Sequence, residues 1–269
     1  MQILSQSQYF GTRRHEMLHR GISLSEYDYY EPGTPWHYHE NPYFMYVLAG
    51  NMVDVAKSGS SLLPPGSLMF LNWEETHRTD KRSRRGRGMH LQIERQWLRE
   101  QEIDDGLWEG SQVLQHPDFH LLLGKIHLEL RRADDFSRLS VELLTMQLCD
   151  LLNDKFVAES AHRPPWIEDL RELLHAEGER LSLTELSQEL GVHPVHISRS
   201  VPDFLGSTLG EYLRKQRLSK ALPELLDHQK SLAQIACASG FADQSHFTRV
   251  FKAYFGVTPA RFRRGERAR

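Results

Sequence analysis

The chain has 269 residues, 39% of them hydrophobic and 26% charged, with 33 Lys and Arg against 36 Asp and Glu. That length favours about two domains, each able to bury a core, and no apolar run approaches the ~18 residues of a membrane span. The opening Met1-Gln-Ile-Leu-Ser lacks the basic and apolar stretches of an export signal, and Cys149 and Cys237 have no metal or redox spacing, so a reducing cytoplasm is expected.

The net charge of −3 hides an asymmetry. Residues 209–269 hold twelve Lys/Arg against five Asp/Glu, a surplus of seven, so the remaining residues carry ten more acidic than basic groups. A basic end on an acidic body suits a polyanionic partner, and equally a solvated tail.

From about residue 20 to 95 the pattern is of short strands. Tyr43-Phe-Met-Tyr-Val-Leu is rich in strand formers and ends at Ala49-Gly50-Asn51. A Leu62-Leu-Pro-Pro-Gly-Ser turn precedes Leu68-Met-Phe-Leu, and Gly88-Met-His-Leu-Gln-Ile-Glu alternates like a half-buried strand. Such spacing predicts a small antiparallel barrel or sandwich. The strand period places His37, His39, Tyr43 and Met45 on one inward face. With Trp36, Met69, Trp73 and His77 near them in sequence, they line a small-molecule pocket or simply fill the barrel. Between Arg78 and Arg87, six of ten residues are basic, the composition of a solvated loop or of an anion contact.

Pro32-Gly-Thr-Pro-Trp-His-Tyr-His-Glu-Asn-Pro-Tyr, running to Gly50, resembles the first cupin motif, and Pro64-Pro-Gly-Ser-Leu-Met resembles the second. Metal-binding cupins gather two His, a Glu and a third His around one ion. Here His37 and His39 match the first two, but Tyr43 stands at the Glu position and Met69 at that of the third His. Two ligands seldom hold an ion tightly and a catalytic metal needs about three. The resemblance therefore implies no metal, no cofactor and no catalytic residue, and well under one transition metal per purified chain.

After about residue 96 the period becomes helical. Phe119, Leu122, Leu123, Ile126 and Leu130 form one stripe, and Val141, Leu144, Leu148, Leu151 and Leu152 another. These helices, 119–131 and 140–156, either dimerise the protein or pack on its own barrel. Ser160-Ala-His-Arg-Pro-Pro breaks the pattern and marks a linker at 160–166, between a first domain at 1–159 and a second at 167–266.

Two segments of the second domain share one plan. Leu181 to Arg199 has inward Leu183, Leu186 and Leu190, a small Ser187 at the crossing, Gly191 for a left-handed turn and Pro194 for a helix start. Ser231 to Phe251 repeats it, with Ala236 at the crossing, Gly240 in the turn and Asp243 as the cap. The two turns lie 49 residues apart, which predicts helix-turn-helix units at 183–204 and 231–254.

Gly240-Phe-Ala-Asp-Gln-Ser-His-Phe-Thr-Arg-Val-Phe-Lys-Ala-Tyr-Phe-Gly-Val-Thr-Pro-Ala-Arg-Phe-Arg resembles the signature of AraC/XylS regulators nearly residue for residue, and Tyr212-Leu-Arg-Lys-Gln-Arg-Leu resembles their linker helix. The resemblance implies two recognition helices in successive major grooves of double-stranded DNA, ~34 Å apart. Carried over by position, Val195, Ser198 and Arg199 face the bases from the first helix, and Gln244, Ser245, His246 and Arg249 from the second. Phe247, Val250 and Phe251 belong to the core. Lys252, Arg214, Lys215, Arg261 and Arg263 meet phosphates or face water. Pro202 and Pro223 depart from the family pattern; each removes a backbone donor inside an expected helix, at ~3 kcal/mol if the helix runs on unbent.

The expected architecture is thus an all-β cupin-like barrel with trailing helices, followed by an all-α domain of two helix-turn-helix units. The expected function is a DNA-binding regulator, dimeric, answering a small-molecule effector and, if an activator, touching RNA polymerase; it is neither a membrane protein nor an enzyme. A cupin enzyme fused to a DNA-binding tail is the alternative, separable by bound metal, and a non-sensing architectural factor is the third reading.

Overall fold

A seven-residue run that is buried on both sides organises the first half of the computed structural model, which describes residues 2–106, 108–160, 164–176, 182–227 and 229–265. This run is β5 (Tyr43–Ala49), held between β8 (Leu68–Leu71) and β10 (Gly86–Ile93) in a sheet that continues through β3 (Ile22–Tyr29) and β2 (Thr12–His19) and has β11 (Ser111–Val113) at its other edge. The second sheet runs β1 (Gln2–Leu4), β4 (His37–His39), β9 (His77–Lys81), β6 (Met52–Ala56) and β7 (Gly59–Leu63).

Strand alternation then sorts β5 between two cores. Tyr43, Met45 and Val47 point between the sheets, packing with Met52, Leu63, Met69 and Leu71. Phe44, Tyr46 and Leu48 point the other way, into a larger core that helices supply. After the short α1 (Arg95–Glu100), those helices are α2 (Pro117–Arg132) and α3 (Ser137–Ser160).

The α2 stripe is packed inside its own chain. Phe119, Leu123, Ile126 and Leu130 are buried in the larger core, and α2 packs on α3 and α7. On α3, Val141, Leu148 and Leu152 face inward, while Leu139 and Leu143, and Phe136 just before the helix, remain exposed at 56%, 52% and 76%.

The helical half comprises α4 (Pro165–Ala176), α5 (Leu183–Leu190), α6 (Pro194–Leu205), α7 (Leu209–Asp227), α8 (Leu232–Ala238), α9 (Gln244–Phe255) and α10 (Pro259–Arg264). Of the expected linker at 160–166, residues 161–163 lie outside the described residues. The apolar core does not respect that boundary. Leu218, Leu222 and Leu225 of α7, Ile235 of α8 and Phe247, Phe251 and Phe255 of α9 belong to the same cluster as the outer face of β5 and α2. Leu170, Leu174, Leu186, Ile197, Val201 and Tyr212 form a separate one.

Two glycines mark the close approach of the halves. A Cβ on Gly124 of α2 would sit 3.1 Å from Leu222 and from Phe255. On Gly66, in the turn before β8, it would lie 2.8 Å from the ring of Pro223. Pro223 sits inside a continuous α7, and Pro202 inside a continuous α6 that runs three residues beyond it. Neither proline ends its helix.

Candidate nucleic-acid interface and sensor cavity

The first helix-turn-helix is closed by local hydrogen bonds. Ser182 and Glu185 make a reciprocal capping box on α5, Gly191 turns left-handed at φ 63°, and the His193 side chain caps α6 ahead of Pro194. Ile197, Val201 and Leu205 are buried, leaving Val195, Ser198 and Arg199 on the exposed face. Pro202 is exposed as well and, seven residues from Val195, continues that stripe.

The second unit repeats the arrangement. Ser231 and Gln234 box the start of α8, Gly240 turns at φ 80°, and the Asp243 carboxylate accepts the His246 backbone N–H at 2.7 Å. Phe247, Phe251 and Phe255 anchor α9 in the core, and Val250 packs beside them. The opposite face forms a shallow open groove lined by Gln244, Ser245, Thr248, Arg249, Lys252 and Ala253. His246 departs from this set: half-buried, it turns its edge to Phe241 at 5.5 Å between ring centres.

The basic residues divide. Arg214 is exposed and Arg261 half-buried. Lys215 is not available to phosphate, because its ammonium meets Asp118 of α2 at 2.9 Å. Arg263 faces a cleft between the halves, shared with Arg14, Glu26, Arg87, His127 and Arg131. Across it, the Arg87 guanidinium donates to the Leu226 carbonyl at 2.6 Å. Burial pushes the Glu26 carboxyl up, but His127 and Arg87 outweigh it and hold the group at about 2. Arg87 and Lys81 of the basic run are thus structural: the Lys81 ammonium donates to the carbonyls of Tyr29 and Tyr30 at 3.1 and 2.5 Å.

Between the sheets lies a cavity of about 150 Å³. His37, His39, Tyr43, Met45 and His77 line it, as the strand period predicts. Trp36, Met69 and Trp73 do not. Trp36 is turned outward beneath the Arg78 guanidinium, Met69 is packed opposite Met45, and Trp73 is covered by Arg95 at 3.9 Å. The wall includes residues that the sequence reading passed over: Tyr9, stacked on His90 at 3.8 Å, and Tyr29, hydrogen-bonded to His90.

β4 and β9 pair so that His37 and His77 are direct cross-strand neighbours, which sequence distance concealed. The His77 Nδ1–H donates to the buried Asp54 carboxylate at 2.8 Å, and the His37 Nδ1–H to the Pro35 carbonyl at 2.9 Å. Burial, then the neighbouring imidazoles, push His37 down to about 4, His39 to about 2 and His90 to about 3, so these rings are neutral at pH 7. The two-donor count drawn from the cupin motifs is therefore corrected to three, with His77 replacing the position that Met69 leaves empty of a donor.

Fold and exposed helices together define a DNA-binding transcription regulator carrying a ligand-binding domain. Residues 19–149 match the model of the AraC-like ligand binding domain, and residues 186–265 that of a helix-turn-helix domain. The probable transcription factor PqrA of Proteus vulgaris is 40% identical over 98 residues, 36% of this chain and 77% of that protein. The multiple antibiotic resistance protein MarA of Escherichia coli K12 is 32% identical over 98 residues, 36% of this chain and 72% of that one. Fatty-acid-bound ToxT from Vibrio cholerae aligns over 90% of this chain and 94% of its own at 16% identity and a TM-score of 0.41. The chain belongs to the AraC family of transcription regulators.

Proposed function

We propose that this regulator reads DNA with α6 and α9 and senses a small molecule in the barrel, which acts as a sensor and not as an enzyme. Base edges are met by Val195, Ser198 and Arg199, and by Gln244, Ser245 and Arg249; Lys252, Arg214 and Arg261 meet phosphate. The observation that carries this reading is the α9 face, where a groove lined by Gln244, Ser245, Thr248, Arg249 and Lys252 lies opposite three buried phenylalanines. Residues 1–159 form the sensing and dimerising part, 160–166 the linker and 167–266 the DNA-binding part, in a cytoplasmic protein. As an activator it would also meet RNA polymerase.

The cavity sets the size of the effector. A protein cavity of ~150 Å³ holds one six-membered ring, so the ligand is a small ring or short acid whose oxygens face the Tyr and His wall. A thermal-shift screen over sugars, sugar acids and aromatic acids tests this. Met45→Trp, filling the cavity, should abolish the shift while DNA affinity of the ligand-free protein changes less than about twofold. Equal loss of both would mean that Met45 is structural only.

The dimer is proposed through the outer face of α3, where Leu139 and Leu143 stand exposed beside Phe136, the residue just before the helix. Wild-type protein should sediment as a dimer at micromolar concentration and Leu139→Glu/Leu143→Glu as a monomer. A monomeric wild type contradicts the proposal.

A further inference from the structure

We infer that the cleft between the barrel and the second helix-turn-helix binds one compact dianion, a phosphate group that is either free or carried by a small ester. The cleft encloses about 240 Å³ and shares no lining residue with the cavity between the sheets. It lies on the outer face of the larger sheet: Arg87 shares the side of β10 that Met89 and Leu91 turn to the larger core, and Glu26 the side of β3 that Leu24 does. Arg131 of α2 completes this wall, and α10 supplies Phe262 and Arg263 from the other half. The walls stand close, since a Cβ on Gly265, at the end of α10, would lie 3.0 Å from the Arg131 Cβ.

Four guanidinium groups face this volume and two carboxylates answer them. Arg14 donates to Asp28 at 2.5 Å. Arg87 Nε stands 3.7 Å from Glu26, which also lies 3.5 Å from His127. Arg131 donates instead to His15, a ring that burial and then Arg131 itself push toward its neutral form. Arg263 is the least matched: its Nε and one Nη are buried without a hydrogen-bond partner, as is Arg87 Nε. Burial pushes the Arg263 guanidinium down, with no carboxylate offsetting it among the described residues. An arginine does not escape burial by losing its proton. Buried polar atoms without partners are uncommon, and a buried cation is costly unless paired. An anion between Arg131 and Arg263 satisfies both.

Charge and size select the class. Two unmatched guanidinium groups suit a ligand of charge two, and a phosphate monoester carries about −1.5 to −2 at pH 7 with three acceptor oxygens. Guanidinium forks grip phosphate bidentately, whereas a single carboxylate neutralises one of the two. On the scale where ~150 Å³ holds a six-membered ring, this cleft takes a phosphate and a small carbon group beside Leu226 and Phe262. The ligand would tie α10, which packs on α7 and α9, to the barrel wall. The site stands without the sensor reading of the barrel.

The test exchanges full-length protein into buffer free of phosphate and sulfate and titrates it by calorimetry with inorganic phosphate, glycerol 3-phosphate and octanoate. One or both phosphates should saturate a single site per chain with a Kd of about 1 mM or tighter, and the tighter of the two tells free ion from ester. Arg263→Gln and Arg131→Gln should each weaken that binding about 10-fold or more. Arg263→Lys, which keeps the charge and loses the fork, should fall between. Arg263→Gln removes no hydrogen bond at the two buried nitrogens, so its ligand-free melting should match wild type; should it misfold, the wild-type titration and Arg131→Gln decide. Absence of a saturable heat with either phosphate, or unchanged affinity in both glutamine variants, overturns the inference. Octanoate uptake that Arg263→Gln abolishes overturns the dianion class. Met45→Trp, which fills the barrel, should leave phosphate affinity unchanged, and its loss there would place the anion in the barrel and overturn the site. Phosphate uptake without any shift in the small-molecule screen defeats the sensor reading only, and a screen hit without phosphate uptake defeats this site only.

Discussion

Arg249→Ala should weaken binding to an operator by about 5–150-fold and flatten preference at a single base pair, an effect of ~1–3 kcal/mol. The size follows from geometry. Arg249 is two residues from both Phe247 and Phe251, hence ~200° around the helix from each, and those rings fix the buried side of α9. An arginine on the opposite face can grip guanine at two atoms, which discriminates between bases as well as attracting charge. Lys252, in the same groove but a turn further on, provides the contrast. If it meets phosphate, Lys252→Ala should weaken all sequences alike and reduce the salt slope by about one. Arg263→Ala should leave the slope unchanged, since that side chain faces the cleft between the halves. The measurement is binding to an operator and its single-base variants across salt concentrations. Uniform loss in Arg249→Ala, with base preference intact, would put the wrong face of α9 on the DNA.

Local chemistry made much of this legible in the sequence. Gly191, Gly240, Asp243 and Pro194 act within a few residues of themselves, and the structure uses each as the helix-turn-helix plan requires. The inward row His37, His39, Tyr43 and Met45 likewise needed only the period of a strand. What escaped was set by pairing at a distance. His77 becomes a third imidazole because β9 lies beside β4 in register, forty residues away in sequence. Tyr9 and His90 reach the cavity through contacts between separate strands. Lys215 and Arg263 look like phosphate contacts in a basic tail, yet Asp118 and the cleft claim them. Charge composition records that a residue is basic, not which acid it will meet.

The α2 stripe shows the same limit and has a consequence for stability. Its apolar spacing is equally suited to a partner subunit and to the chain's own core; the second is realised, and α7 and α9 join in covering it. The second helix-turn-helix therefore shares its core with the barrel, while the first has a core of its own. Phe251 sits at the junction, fully buried, stacked on Phe255 at 4.4 Å and edge-on to Phe247 and Phe262. Truncating a buried phenylalanine costs ~3–5 kcal/mol, a large fraction of the ~5–15 kcal/mol that holds an ordinary domain folded. Phe251→Ala should thus lower protection against hydrogen exchange not only in α8–α10 but also in β5 and β10. Ile197→Ala, at a similar ~2–5 kcal/mol in the first unit, should loosen α4–α6 and leave β5 and β10 protected as in wild type. Hydrogen exchange on peptides from these strands and helices reads both variants. If Phe251→Ala opens the last three helices while β5 keeps its full protection, the barrel and the second helix-turn-helix fold as separate units, and their common core is a contact without cooperativity.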